Sequence, residues 1–211
     1  ITFTHHSYSQ TGKQQMSVMI PLYIYPSSTW DTIINTANNA DVEIHTIINV
    51  NSGVVSSALN HDIVEYKNWL PNLNSSNAKI YAYVDTDNGM RDPALVEMDI
   101  NAYIDTFSNI QFHGFFFDQA KSGTSSSTGR SASENYQYYR NIYQYVKSKN
   151  DSYKVVLNTG VVLKDQKFLY AGQEAADIIV SAEKCYTDLS TEPEDIANSN
   201  NNKGNPYQFA A

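Results

Sequence analysis

Seven short apolar runs, separated by helix-type patterns or polar turns, constrain this chain more than any other feature. They are Met16 to Tyr25, Val42 to Asn49, Lys79 to Asp85, Gln111 to Ala120, Tyr153 to Asn158, Asp177 to Glu183 and the shorter Tyr207 to Ala211. A strand that returns through a helix runs parallel to its predecessor, because the crossover carries the chain back to the same end of the sheet. Repeated along the chain, this gives a parallel sheet with helices outside it. Two closures satisfy the pattern, an open doubly wound sheet and a (β/α)8 TIM-like barrel. No Gly-x-Gly-x-x-Gly or P-loop follows the first run, which argues against the nucleotide-binding open sheet. The expectation is therefore an α/β fold of the (β/α)8 type over residues 16–211, after an N-terminal extension of residues 1–15. Such a barrel would have its C-terminal strand or strands beyond residue 211, since one lacking them would expose two unpaired edges.

The intervening segments carry helix signals. Trp30, Ile33, Ile34 and Ala37 fall at i, i+3, i+4 and i+7, one face of a helix. Asp62 reads as the cap of a helix with Ile63, Tyr66 and Leu70 inward, stopped by Pro71. Val96, Ile100, Tyr103, Ile104 and Phe107 give the cleanest amphipathic pattern. Ser131 with Glu134 makes a capping box ahead of Tyr139, Ile142, Tyr143 and Val146, and Thr191 with Glu194 suggests another capped helix. Lys121 to Ser133 is a Ser/Gly/Thr run without packing residues and reads as a flexible loop, either a lid or a plain connection.

Charge and composition exclude several classes. With 22 acidic against 14 basic residues the net charge is -8, so neither a phosphate-tracking basic face nor a nucleic-acid partner is expected. No apolar run is long enough to span a bilayer. Cys185 is the single cysteine, so no internal disulfide can staple the fold. The start at Ile1 without Met suits a processed secreted protein or a trimmed chain equally. Asn74-Ser75-Ser76 and Asn150-Asp151-Ser152 are glycosylation sequons of the kind an Asn- and Ser-rich chain makes by chance. Sixteen Tyr against eight Phe supply many flat apolar faces with a polar tip, suited to stacking on sugar rings or to packing.

Ligands of parallel α/β folds bind at the carboxyl ends of the strands. There the sequence places Tyr23 and Tyr25, Asn49 and Asn51, Asp85 and Asp87, Asp118 and Gln119, Asn158, and Glu183 with Tyr186. Asp118 ends the most aromatic run and reads either as a functional carboxylate or as the cap of the next helix or loop. Two carboxylates amid amides and tyrosines are the kit for glycoside hydrolysis. A divalent cation held by Asp85, Asp87 and Asp118 is the competing use of the same residues. No His belongs to this set, so neither a His-based triad nor a zinc site is expected, and no metal or cofactor is called for. His45 and His113 fall within strands, His61 precedes a helix, and His5 and His6 are terminal.

Six segments together resemble the spherulin-4 family: Ile20-Pro21-Leu22-Tyr23-Ile24-Tyr25-Pro26, Ile47-Ile48-Asn49-Val50-Asn51-Ser52-Gly53, Tyr81-Ala82-Tyr83-Val84-Asp85-Thr86, Phe115-Phe116-Phe117-Asp118, Val156-Leu157-Asn158-Thr159-Gly160 and Ala182-Glu183. The likeness runs from about residue 16 to the end of the chain. It implies a β/α barrel in a family that includes secreted fungal glycoside hydrolases of α-1,4-linked galactosamine or N-acetylgalactosamine exopolysaccharide, and slime-mould spherulation proteins. By resemblance Asp118 is the strand-four carboxylate and Glu183 the strand-six one, a nucleophile and a general acid/base in a retaining, endo-acting scheme. Tyr23, Tyr25, Asn49, Asn51, Asp85, Gln119, Asn158 and Tyr186 would line the sugar groove. The departure is Gln119, where the family usually carries Glu; an amide keeps shape and hydrogen bonding but cannot lend a proton. The expectations are thus a secreted glycosidase on an amino-sugar polysaccharide, or a non-catalytic carbohydrate-binding matrix or spore-coat protein of the same fold.

Overall fold

The computed structural model describes residues 2–3, 17–58, 60–124, 128–161, 163, 166–169, 172–182 and 208–210. Among these residues eight strands follow in order: β1 (Thr2–Phe3), β2 (Ser17–Leu22), β3 (Glu43–Ile48), β4 (Lys79–Asp85), β5 (Phe112–Asp118), β6 (Lys154–Asn158), β7 (Ile178–Ala182) and β8 (Gln208–Ala210). They pair in sequence order. The six strands β2 to β7 are parallel throughout, with β8 added parallel to β7 and β1 antiparallel to β2. Four α-helices accompany them among the described residues: α1 (Trp30–Asn39), α2 (Asn60–Asn74), α3 (Pro93–Thr106) and α4 (Ala132–Lys149). The result is a curled parallel sheet of TIM-like order. A full barrel of eight parallel strands is not what these residues form, because β1 runs the other way.

The curl separates two cores by side-chain parity. One set, which includes Ile48, Ile80, Ala82, Val84, Phe115, Phe117, Val155 and Leu157, packs beneath the helices with Trp30, Leu70, Tyr103, Tyr139 and Ile142. The alternate set, Met19, Ile47, Tyr81, Tyr83, Phe116, Val156, Ile178 and Val180, fills the concave side. Strands buried on both faces read as continuous apolar runs, which is why they stand out in the sequence.

Strand β5 contains a break in this alternation. Ile80 pairs with Phe112 but Tyr81 pairs with Gly114, so His113 is an extra residue in the ladder. Phe112 and Asp118, six apart, would share a face in an unbroken strand. The bulge lets Phe112 face the helices while Gly114, Phe116 and Asp118 take the concave parity. His113 uses its side chain to replace the missing ladder bond, Nδ1 accepting from the Ile80 amide at 3.1 Å. Gly114 lies so close to β6 that a Cβ would sit 2.0 Å from the Lys154 carbonyl oxygen.

Helix ends follow local chemistry, with two corrections. Asp92 caps α3, its side chain accepting from the Ala94 amide with Pro93 in the first turn, and Ser131 with Glu134 forms the expected reciprocal capping box on α4. Helix α2 begins at Asn60, so Asp62 lies in its first turn rather than capping it, and His61 is inside the helix. Nor does Pro71 stop α2, which continues to Asn74. The lost proline N–H affects one bond near the end, the Pro71 carbonyl still accepts from Ser75 N at 3.0 Å, and buried Leu70 and Leu73 anchor the last turn. Strand β2 is also shorter than its apolar run, ending at Leu22. Tyr23 and Tyr25 therefore belong to the loop after it.

Candidate active site

Parity and register bring Asp118 to the concave mouth of the sheet. It ends β5 directly opposite Asp85, the last residue of β4. Both of its carboxylate oxygens accept short bonds: Oδ2 from the Tyr83 hydroxyl at 2.7 Å and Oδ1 from Asn158 Nδ2 at 2.7 Å. The Asn158 amide is itself oriented, since its Oδ1 accepts from Gly160 N at 3.1 Å. Tyr83 stacks on Phe116 at 6.0 Å and makes a T-shaped contact with Tyr23 at 5.4 Å. Burial, then the bond to Asp118 and its charge, push the Tyr83 hydroxyl far above the usual tyrosine range. It therefore stays protonated and donates at any working pH.

The loops around this carboxylate are tightly built. Gly53, in the turn after β3, has φ +77°, and a Cβ there would meet Asp85 N at 2.6 Å and the Tyr83 ring at 2.7 Å. Arg91 Nη1 donates to the Asp85 carbonyl at 3.0 Å and to the Gly53 carbonyl at 3.4 Å, while Nη2 pairs with the fully buried Asp99. Asp99 also accepts from Ser56 N at 2.7 Å. One guanidinium thus ties together the loops that follow β3 and β4.

The other expected residues divide. Tyr23 and Tyr25 are both exposed; Tyr23 meets Tyr83 of the site, whereas Tyr25 packs in a T-shaped contact on Tyr66 of α2 at 6.4 Å. Asn49 is half-buried; its carbonyl accepts from the Tyr66 hydroxyl at 2.6 Å, while its side-chain oxygen is buried with no hydrogen-bond partner. Asp85 Oδ1 accepts from Asp87 N at 3.2 Å. Asn51 turns away, its Nδ2 donating to the Val54 carbonyl at 2.8 Å within its own turn. Gln119 is exposed in a left-handed conformation, φ +54°, and accepts from Asn88 Nδ2 at 3.3 Å. Glu183 and Tyr186 lie outside the described residues, as do Cys185 and the segment of Thr191 and Glu194. Among the described residues no group of three or more His, Cys, Asp or Glu is placed to hold a metal ion. The alternative of a cation on Asp85, Asp87 and Asp118 thus has no geometry behind it. No described helix is long and apolar enough to cross a membrane.

Sequence reasoning missed Tyr83, Thr86, Arg91 and Tyr139. Tyr83 was within reach, being two residues before Asp85 on one strand and so on the same face. Thr86 and Tyr139, bonded to each other at 3.1 Å and to residues 118–121, carry no comparable signal, because only the folded crossover brings α4 to the end of β4.

Residues 17–210 match the model of a family described as spherulation-specific family 4. Spherulin-4 of Physarum polycephalum is 32% identical over 169 residues, which cover 80% of this chain and 46% of that protein, so the chain spans about half its relative's length. The crystal structure of Aspergillus clavatus Sph3 in complex with GalNAc is similar over 82% of this chain and 68% of its own, with a TM-score of 0.66 at 26% identity.

Proposed function

The chain belongs to the spherulation-specific family 4, and from that premise we propose that it is a secreted, endo-acting glycoside hydrolase of α-1,4-linked galactosamine or N-acetylgalactosamine polymers. The observation that carries this reading is the Asp118 carboxylate, held at the strand ends by Tyr83 and Asn158 at 2.7 Å each. The likeness to Sph3, whose crystal holds GalNAc, supports an amino sugar as the ligand. In the retaining scheme Asp118 attacks the anomeric carbon and forms a C–O bond as the glycosidic C–O bond breaks. Glu183 gives its proton to the departing oxygen, then takes one from the water that hydrolyses the glycosyl ester and regenerates both groups. Tyr83 and Asn158 fix the plane of the attacking carboxylate, and exposed Tyr23 offers a ring face for a neighbouring sugar.

The second reading, a carbohydrate-binding protein that does not cleave, is favoured by one observation. Position 119 holds an amide bonded to Asn88 where an acid would be required if that position supplies the proton. Mass spectrometry of products from partially de-N-acetylated α-1,4-galactosaminan decides between the two. The hydrolase reading expects shorter oligosaccharides from the unaltered chain, and a loss of several orders of magnitude in both Asp118→Asn and Glu183→Gln. Full activity in Glu183→Gln would overturn the carboxylate pair. Products from Gln119→Glu alone would identify a silenced hydrolase that binds without cutting.

A further inference from the structure

Residues 118–121, which leave the end of β5, are held one after another by groups outside their own strand. The Asp118 carbonyl accepts from Thr86 N at 3.2 Å and from Thr86 Oγ1 at 2.7 Å. The Gln119 carbonyl lies 3.4 Å from the same hydroxyl. Ala120 N donates to the Asn158 carbonyl at 2.8 Å, and Lys121 N donates to the Tyr139 hydroxyl at 3.1 Å. The two hydroxyls meet at 3.1 Å. Thr86 has one hydroxyl proton, and the Asp118 carbonyl takes it at the shorter distance, so in the pair Tyr139 must donate. Every proton is then assigned: Lys121 N–H to Tyr139 O–H, Tyr139 O–H to Thr86 O–H, and Thr86 O–H to the Asp118 carbonyl. Hydrogen bonds in such a chain polarise and strengthen one another in a buried setting, and Thr86 and Tyr139 are both 0% exposed.

The bonds close a ring around Gln119, whose φ of +54° is costly for a residue with a Cβ. Resting on the assignment of Asp118 above, we propose that Thr86 and Tyr139 are positioning residues: their buried hydroxyls hold the kink at Gln119 and so aim the Asp118 carboxylate at Tyr83 and Asn158. Asn158 acts on both sides of the kink, its side chain on the carboxylate and its carbonyl on Ala120. A shift of the kink therefore moves the carboxylate relative to its two donors. Neither hydroxyl touches the mouth itself, so their effect is on the chemical step and not on sugar binding.

Thr86→Val and Tyr139→Phe remove the hydroxyls while keeping side-chain volume, and Thr86→Ser restores one. On an α-1,4-linked galactosamine oligosaccharide, kcat is expected to fall by about ten- to a hundredfold in the first two, the scale of a small misplacement of a reacting group. KM stays within about threefold, and Thr86→Ser regains most of the rate. Amide hydrogen exchange at Ala120 and Lys121 rises in the same two variants while the strand amides stay protected. Unchanged kcat, or a loss that follows global exchange and is not regained in Thr86→Ser, would overturn the proposal. If the unaltered chain makes no products, the hydrolase reading fails separately. The ring then stands on selective exchange at Ala120 and Lys121, and falls if that exchange is unaltered in Thr86→Val.

Discussion

Tyr83 joins two requirements in one side chain: its ring closes the concave core against Phe116 and Tyr23, and its hydroxyl holds Asp118. Tyr83→Phe separates them, since the ring contacts survive and only the bond to the carboxylate is lost. A hydrogen bond to a charged group contributes about 1.5–3 kcal/mol. Turnover of the oligosaccharide should therefore drop roughly ten- to a hundredfold while far-UV circular dichroism is unchanged. The residues that meet at this point differ in how openly the sequence shows them. Asp118 and Asn158 each end an apolar run, so their place at the rim follows from strand geometry alone. Asn51 also follows such a run, yet its side chain turns to Val54, because an Asn in a left-handed turn bonds its own backbone readily. Asp99 is the hardest case. It sits among the buried apolar residues of α3, and only the fold reveals that Arg91 reaches it.

The elements were legible where burial is two-sided. Lys79–Asp85 is a strand with the bounds its apolar run suggests, and the Ser131–Glu134 box starts α4 where local capping chemistry requires. What escaped was any feature whose cause lies across the sheet. The His113 bulge is one, since a single Gly114 is its only local trace. The continuation of α2 through Pro71 is another, decided by the burial of Leu70 and Leu73. The turn after β3 shows how closely these elements are fitted. Gly53→Ala would combine a strained positive φ with a Cβ 2.6 Å from Asp85 N. Urea denaturation should show a loss of at least about 2 kcal/mol. A milder effect would mean that the β3 and β4 loops can part without disturbing the fold.

Across the concave face Tyr83, Asp118 and Asn158 meet at the carboxyl end of the strands, while His45 bonds Glu43 and the Tyr81 hydroxyl at the amino end. Near that amino end lies a group that should couple stability to pH. Burial first, then the charges of Lys79 and His45, hold His113 down to about 4 from the ordinary 6.5, against the opposing pull of Glu43. The folded chain thus resists a proton that the unfolded chain accepts at about 6.5, and Nδ1 must remain free to accept from Ile80. Its contribution is fully present above about pH 6.5 and is lost as pH falls toward about 4. The decline in unfolding free energy over that window should flatten in His113→Asn, and an identical slope would place the effect on other groups. The bulge at the same residue also decides where the strand's length is negotiable. Without His113, Phe112 and Gly114 would pair with Ile80 and Tyr81 in regular register, and Asp118 would still face inward. Loss of one residue between Gly114 and Asp118, with the bulge kept, would turn the carboxylate toward the helices. Chains built on this plan can therefore differ by one residue at the start of the strand, whereas the stretch that leads to the carboxylate must keep its count.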